Sequence, residues 1–155
     1  MDIFLDTNII LKLVIKTDVT PDIQQSMYNI KKNYTEIIIP QVVVGETLVK
    51  LIEISKPHEK YANICNFVDF LEKKVGIYNN IPVLYDKVMN TAIDIKNNVY
   101  NIDYCDAVVI AHAMSFGKTC ALFTTDKKIY HSEYLNEQRR KLKDKGIEVH
   151  ITDSS

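Results

Sequence analysis

The chain has 155 residues, the length of one domain, and at that size roughly 68–70% of the unfolded surface is buried without help from disulfides. Its 46% hydrophobic and 25% charged residues exclude a disordered or collagen-like chain, and four Gly and four Pro are too few for a turn-dense β-sandwich or barrel. A net charge of −1, from 19 basic and 20 acidic residues, excludes a global positive field that coats nucleic acid and leaves local patches open.

Met1-Asp2-Ile3-Phe4-Leu5-Asp6 carries an acid where a signal peptide needs a positive region, and no apolar run approaches the ~18 residues of a bilayer span. A cytoplasmic protein without membrane attachment is expected. Ile3-Phe4-Leu5 reads as a buried strand. From Ile9 to Lys16, apolar residues at 9, 10, 13 and 14 have helical spacing. Thr20-Pro21-Asp22 supplies a cap, a first-turn proline and a first-turn acid, predicting a second helix to about Asn33. Ile37-Ile38-Ile39 is the second buried strand, and Pro40 opens a helix running through Glu46 to about Ile54. A helix from about His58 to Val75 is expected to bury Tyr61, Ile64, Cys65, Val68, Leu71 and Val75 on one stripe and to stop at Gly76.

Ile81-Pro82-Val83-Leu84 is broken by proline and fits only an edge strand. Asp86 caps a helix to about Asn98, and Asp103 starts another, Tyr104 to Phe116, ended by Gly117. Thr119 to Thr124 is a strand, Asp126 to Lys145 one long basic helix, and Ile147 to Ile151 the last strand. Strands that are continuously apolar and alternate with helices imply a parallel sheet covered on both faces. No repeat or linker divides residues 1–155, so a single domain is expected. Cys65, Cys105 and Cys120 form no C-x-x-C pair and are odd in number, which favours small buried hydrophobes over a disulfide or zinc site.

In open α/β sheets, ligands bind beyond the carboxyl ends of the strands. Asp6 ends the first strand and Asp126 follows the fourth. Asp103 and Asp106 share the first turn of the Tyr104 helix, and Glu46 lies in the helix after the second strand. Each has a plain structural use: Asp6, Asp103 and Asp126 as helix caps, Asp106 in a capping-box-like place, Glu46 as a partner of Lys50 at i+4. Gathered at one sheet edge, however, they would repel one another unless a cation sat among them. Glu46, after Val42-Val43-Val44-Gly45 and before Thr47-Leu48, and Asp106, before Ala107-Val108-Val109-Ile110-Ala111, are expected on largely buried helices. Hard oxygen donors without His or Cys suit Mg²⁺ or Mn²⁺, which activate water and clamp phosphodiester oxygens. His112, in an apolar helix, reads as packed or surface-facing rather than as a base.

Four segments resemble the PIN-domain nucleases, and among them the VapC-like toxins: Phe4-Leu5-Asp6-Thr7-Asn8-Ile9, Val43-Val44-Gly45-Glu46-Thr47-Leu48, Asp106-Ala107-Val108-Val109-Ile110-Ala111 and Leu122-Phe123-Thr124-Thr125-Asp126-Lys127-Lys128. The resemblance covers the chain in order. It implies a three-layer α/β/α fold around a five-stranded parallel sheet. It also implies Mg²⁺- or Mn²⁺-dependent cleavage of RNA, with Asp6, Glu46, Asp106 and Asp126 as the catalytic and metal-binding acids. Asn8 and Thr124 would support them, and Asp103 would be an additional ligand. Such a toxin implies an antitoxin partner. Apolar residues of the first two helices (Ile9, Ile10, Leu13, Val14, Ile15, then Ile23, Met27, Ile30) offer a face for an antitoxin helix or a homodimer.

Lys127 and Lys128, beside Asp126, are candidate RNA-phosphate contacts, whereas Arg139, Arg140, Lys141, Lys143 and Lys145 read equally well as a solvated face. A free-standing RNA-processing PIN nuclease and a non-cleaving PIN-like binding module are the alternatives. The full set of acids argues against the second. A haloacid-dehalogenase-type phosphotransferase fits least, because Asn8 stands where that site needs an Asp.

Overall fold

In the computed structural model, five short strands form one all-parallel sheet: β1 (Asp2–Leu5), β2 (Ile37–Pro40), β3 (Asn79–Ile81), β4 (Cys120–Phe123) and β5 (Val149–Thr152), in the order β3-β2-β1-β4-β5. The structure describes residues 1–15, 25, 28, 29, 32–74, 79–81 and 86–152. Every residue of β2 and β4 is buried, as is every residue of β1 except Asp2. Successive strand residues point to opposite faces, so unbroken burial means that both faces are covered. This is the helix-flanked parallel sheet expected from the continuous apolar runs. β3 is the edge strand beside β2 and includes Ile81; Pro82 to Leu84 lie outside the described residues.

The helices are α1 (Thr7–Val14), α2 (Gln41–Ile54), α3 (Lys60–Asp69), α4 (Asp86–Asn98), α5 (Tyr104–Ser115), α6 (Lys127–Tyr130) and α7 (Glu133–Lys143). α5 is buried continuously from Ala107 to Met114, as its apolar circumference requires. His112 within it is packed, not surface-facing. Beyond its end, Phe116 meets Phe4 of β1 edge to face at 5.3 Å. Gly117 then takes φ +76°, a left-handed conformation that ends the helix and costs a Cβ-bearing residue about 1–2 kcal/mol.

Several expectations are corrected. The helix from Asp126 to Lys145 is two helices, because Ser132 starts a new one by accepting the Leu135 N–H at 3.2 Å. α3 passes into a π-helical turn, Phe70–Lys74, and buries Phe67 and Phe70; Tyr61, Cys65 and Val68 are exposed. Phe67 and Phe70 carry more apolar area than the residues of the expected stripe, and they decide which face turns inward. α2 buries only Val43, Thr47 and Leu51, leaving Leu48, Val49, Ile52 and Ile54 exposed. Of the cysteines only Cys120 is buried; Cys105 is half-buried. The helix expected from Thr20 to Asn33, with Ile23, Met27 and Ile30, lies mostly outside the described residues. No helix among the described residues is long and apolar enough to cross a membrane.

Strand order reverses between β1 and β4, which pair directly with Leu5 opposite Phe123. That switch point sets Asp6 and the Thr124–Asp126 segment side by side, joined by a 3.2 Å hydrogen bond from the Asp6 N–H to the Phe123 carbonyl.

Candidate active site

Asp6 occupies the N-cap position of α1, yet its side chain makes no capping hydrogen bond. It is 2% exposed. Its Oδ2 accepts a 2.8 Å hydrogen bond from the Thr124 hydroxyl, while Oδ1 is buried without a partner. Thr124 is fully buried and also accepts the Asp126 N–H at 3.1 Å. One hydroxyl therefore ties the end of β1 to the segment after β4. Burial raises the Asp6 carboxyl above its usual range, against the lowering effect of Thr124 and of the Thr7 amide.

α5 brings the next pair. Asp103 caps it by accepting the Asp106 N–H at 2.8 Å. The Asp106 carboxyl is pushed up to about 8, first by burial and then by the charges of Asp6, Asp103, Glu46 and Asp126. Those four acids arrive from four separate segments, and all of them act on this one group. Asp126 caps α6 by accepting the Lys128 N–H at 2.9 Å. Asp6, Asp106 and Thr124 line a small crevice with Val109, Ile110, Leu122 and Ile129, so the carboxylates stand against an apolar floor.

Glu46 reaches the cluster from α2. Positions 43, 47 and 51 form that helix's buried stripe, and 46 and 50 lie beside it. The Glu46 carboxylate accepts the Thr7 hydroxyl at Oε2, 2.5 Å away, and pairs through Oε1 with the Lys50 ammonium at 2.7 Å. Burial works to lower the Lys50 pKa. The hydrogen bond and charge of Glu46, with the charges of Asp103 and Asp106, outweigh it, and the net direction is up. Donor atoms of Glu46, Asp103 and Cys105 lie within 4.8 Å of one another. The Cys105 thiol is raised to about 11 by burial and then by Glu46, Asp103 and Asp106, and its soft sulfur does not suit a hard divalent cation.

The structure thus gathers Asp6, Glu46, Asp103, Asp106, Asp126 and Thr124. The side chains of the other candidates make no hydrogen bond to this cluster. Asn8 is half-buried in the first turn of α1 and makes no hydrogen bond to these acids. Lys127 and Lys128 are exposed, and the Lys128 ammonium donates to the Asn101 carbonyl at 3.2 Å. Three residues of the basic helix have internal partners: Arg139 binds the Val149 carbonyl, Lys141 pairs with Glu137 and Lys143 with Glu148. Thr7, Lys50 and Cys105 went unassigned to the site in the sequence. Thr7 and Cys105 each adjoin a candidate acid, and Lys50 reads equally well as a surface partner.

The donor set suits a hard divalent cation. An unpartnered buried carboxylate oxygen and a carboxyl strained by four like charges are both relieved by a positive ion.

A family model described as the PIN domain matches residues 3–133. No curated protein matches the chain significantly by sequence. In structure, the chain is similar to VapBC2 from Rickettsia felis bound to a DNA fragment from its promoter, at 18% identity and a TM-score of 0.67 over 99% of this chain and 100% of that one. It is similar to FitAcB from Neisseria gonorrhoeae at 16% identity and a TM-score of 0.58, over 96% of each chain. A toxin–antitoxin complex from Klebsiella pneumoniae matches at 15% identity and a TM-score of 0.54, over 84% of this chain and 92% of that one. At these identities the likeness is one of fold.

Proposed function

This chain belongs to the PIN-domain family, and from that premise we propose that it is a divalent-metal-dependent endoribonuclease and the toxin of a toxin–antitoxin pair. The observation that carries the reading is the Asp6 carboxylate, held by Thr124 through one oxygen, its second oxygen buried and unpartnered, in a crevice that Asp106 also lines. Asp6, Asp106 and Asp126 would hold Mg²⁺ or Mn²⁺, with Asp103 and Glu46 at the rim. Such an ion supplies the Lewis acidity and positive charge that phosphodiester hydrolysis needs.

The chain's own part is positional. The Thr124 hydroxyl fixes the Asp6 carboxylate by donating to Oδ2. Asp103 and Asp126, by capping α5 and α6, have their side chains oriented before any ligand arrives. Val109, Ile110 and Leu122 keep the floor apolar, where charge interactions are strong.

Fold neighbours that include toxin–antitoxin complexes support the toxin role. So does the exposed apolar face of α2 (Leu48, Val49 and Ile52), which a protein partner would cover. The partner face expected on α1 is weaker, because Ile9, Ile10 and Val14 are buried and Leu13 and Ile15 pack partly against the core. Purified protein incubated with single-stranded RNA should cut it in Mn²⁺, stop on adding chelator, and resume on adding excess Mn²⁺. Chelator-insensitive cutting, or none under any divalent ion, would contradict the proposal.

A further inference from the structure

We propose that Lys50 is the residue that receives the scissile phosphate of the RNA at the rim of the acid cluster, and that Glu46 serves to hold it there. The inference rests on the nuclease reading of the site.

An RNA phosphate approaching Asp6, Glu46, Asp103, Asp106 and Asp126 meets a field of its own sign. Among the described residues, Lys50 is the basic side chain that acts on this group of acids most directly. Its ammonium lies 2.7 Å from Glu46 Oε1 and feels the charges of Asp103 and Asp106. It is not sealed in: its side chain keeps 35% of its exposure, against 13% for Glu46. An ammonium has three N–H donors in a rotatable head. The Glu46 pair uses one and leaves others for a phosphate oxygen arriving from solvent.

Glu46 has a partner on each oxygen, Lys50 on Oε1 and the buried Thr7 hydroxyl on Oε2 at 2.5 Å. A carboxylate pinned by a partner on each oxygen is held in one orientation and can in turn orient the Lys50 ammonium. Asp6, with an unpartnered oxygen, is the contrasting case. The Glu-x-x-x-Lys spacing is an ordinary surface motif by sequence. What removes it from the surface is its place beside the buried 43/47/51 stripe, which faces the pair toward α1 and α5.

The two roles a cation can have here differ in sign. A lysine that merely props up the cluster helps both ion binding and cleavage. A lysine that receives phosphate helps cleavage while its charge opposes a divalent ion nearby. The test compares wild type, Lys50→Met, Lys50→Arg and, as a control for loss of one surface charge, Lys141→Met. The measurements are kcat/KM on a short single-stranded RNA across salt, and calorimetric Mn²⁺ titration without RNA.

For Lys50→Met we expect kcat/KM to fall roughly tenfold to hundredfold. Its log–log salt slope should shrink by about one. Mn²⁺ should bind about three- to tenfold tighter. Lys50→Arg should recover most of the cleavage, and Lys141→Met should match wild type. Unchanged cleavage and slope in Lys50→Met would overturn the inference alone. So would a joint fall of cleavage and Mn²⁺ affinity, which marks a structural prop. A wild type that cuts nothing would overturn the nuclease reading and this inference with it.

Discussion

Most carboxylates of the site do two things at once, and this limits what a sequence can say about them. Asp103 and Asp126 are helix caps, and Glu46 is an i,i+4 partner, each as its plain structural reading holds. Their neighbours in space make them more than that. Asp6 differs: it stands at a cap position without capping, and its buried oxygen has no partner. Its position after an apolar strand was legible. Its tie to Thr124, 118 residues away, was not, because no local pattern records it. Asp106 carries a testable consequence. Its carboxyl sits at about 8 in the folded chain, against an ordinary value of 3.8. Between those values the folded protein keeps a proton that the unfolded chain has lost, so this group lowers apo stability as pH rises from about 4 to 8. His112, whose pKa burial lowers, acts oppositely below about 6.5, so the informative quantity is a difference between proteins. Melting of apo Asp106→Asn and wild type should give curves that diverge toward pH 8, the variant being more stable there. Mn²⁺ should stabilise wild type more at pH 8 than at pH 6. Parallel curves would mean that Asp106 is not strained.

At the scale of elements, strands were the most legible feature, since Ile3 to Leu5 and Ile37 to Ile39 are apolar without interruption and bounded by polar residues or proline. Helix faces were less so. On α3, Tyr61 and Val68 fit an apolar period as well as Phe67 and Phe70 do, and only the packing of the aromatic rings decides between them. On α2 the run Val42 to Val44 suggested a largely buried helix, but only the stripe Val43, Thr47 and Leu51 is buried. The break between α6 and α7 was written locally: Ser132 is a strong helix starter three residues before the buried Leu135. Ser132→Ala should therefore destabilise the protein by about 1 kcal/mol. Chemical denaturation measures this, and an unchanged midpoint would show that the hydroxyl contributes nothing. Because Ser132 lies outside the acid cluster, Mn²⁺ affinity at temperatures well below melting should not move.

Over the whole molecule, the order β3-β2-β1-β4-β5 turns scattered acids into one site. It sets β1 between β2 and β4, so elements that are far apart in sequence end at one edge. The convergence was expected from the family resemblance, but the strand order that enforces it is not encoded in any one segment. Charge at this scale is balanced, and the basic residues of α7 are largely spent on β5 and on the helix itself. Exposed Lys127 remains beside Asp126, and Lys127→Ala should weaken RNA binding and flatten its salt dependence by about one unit of slope. An unchanged slope would exclude phosphate contact there. If the acids around Asp6 hold a divalent ion that cuts RNA, Asp6→Asn is the substitution that reveals it most directly. The substitution keeps the size of the side chain and removes one charge from a repelling, buried cluster. The variant should fold with apo stability equal to or above wild type, lose Mn²⁺-dependent RNA cleavage, and no longer slow growth when expressed. A folded Asp6→Asn protein that cuts RNA in Mn²⁺ as fast as wild type would contradict the account.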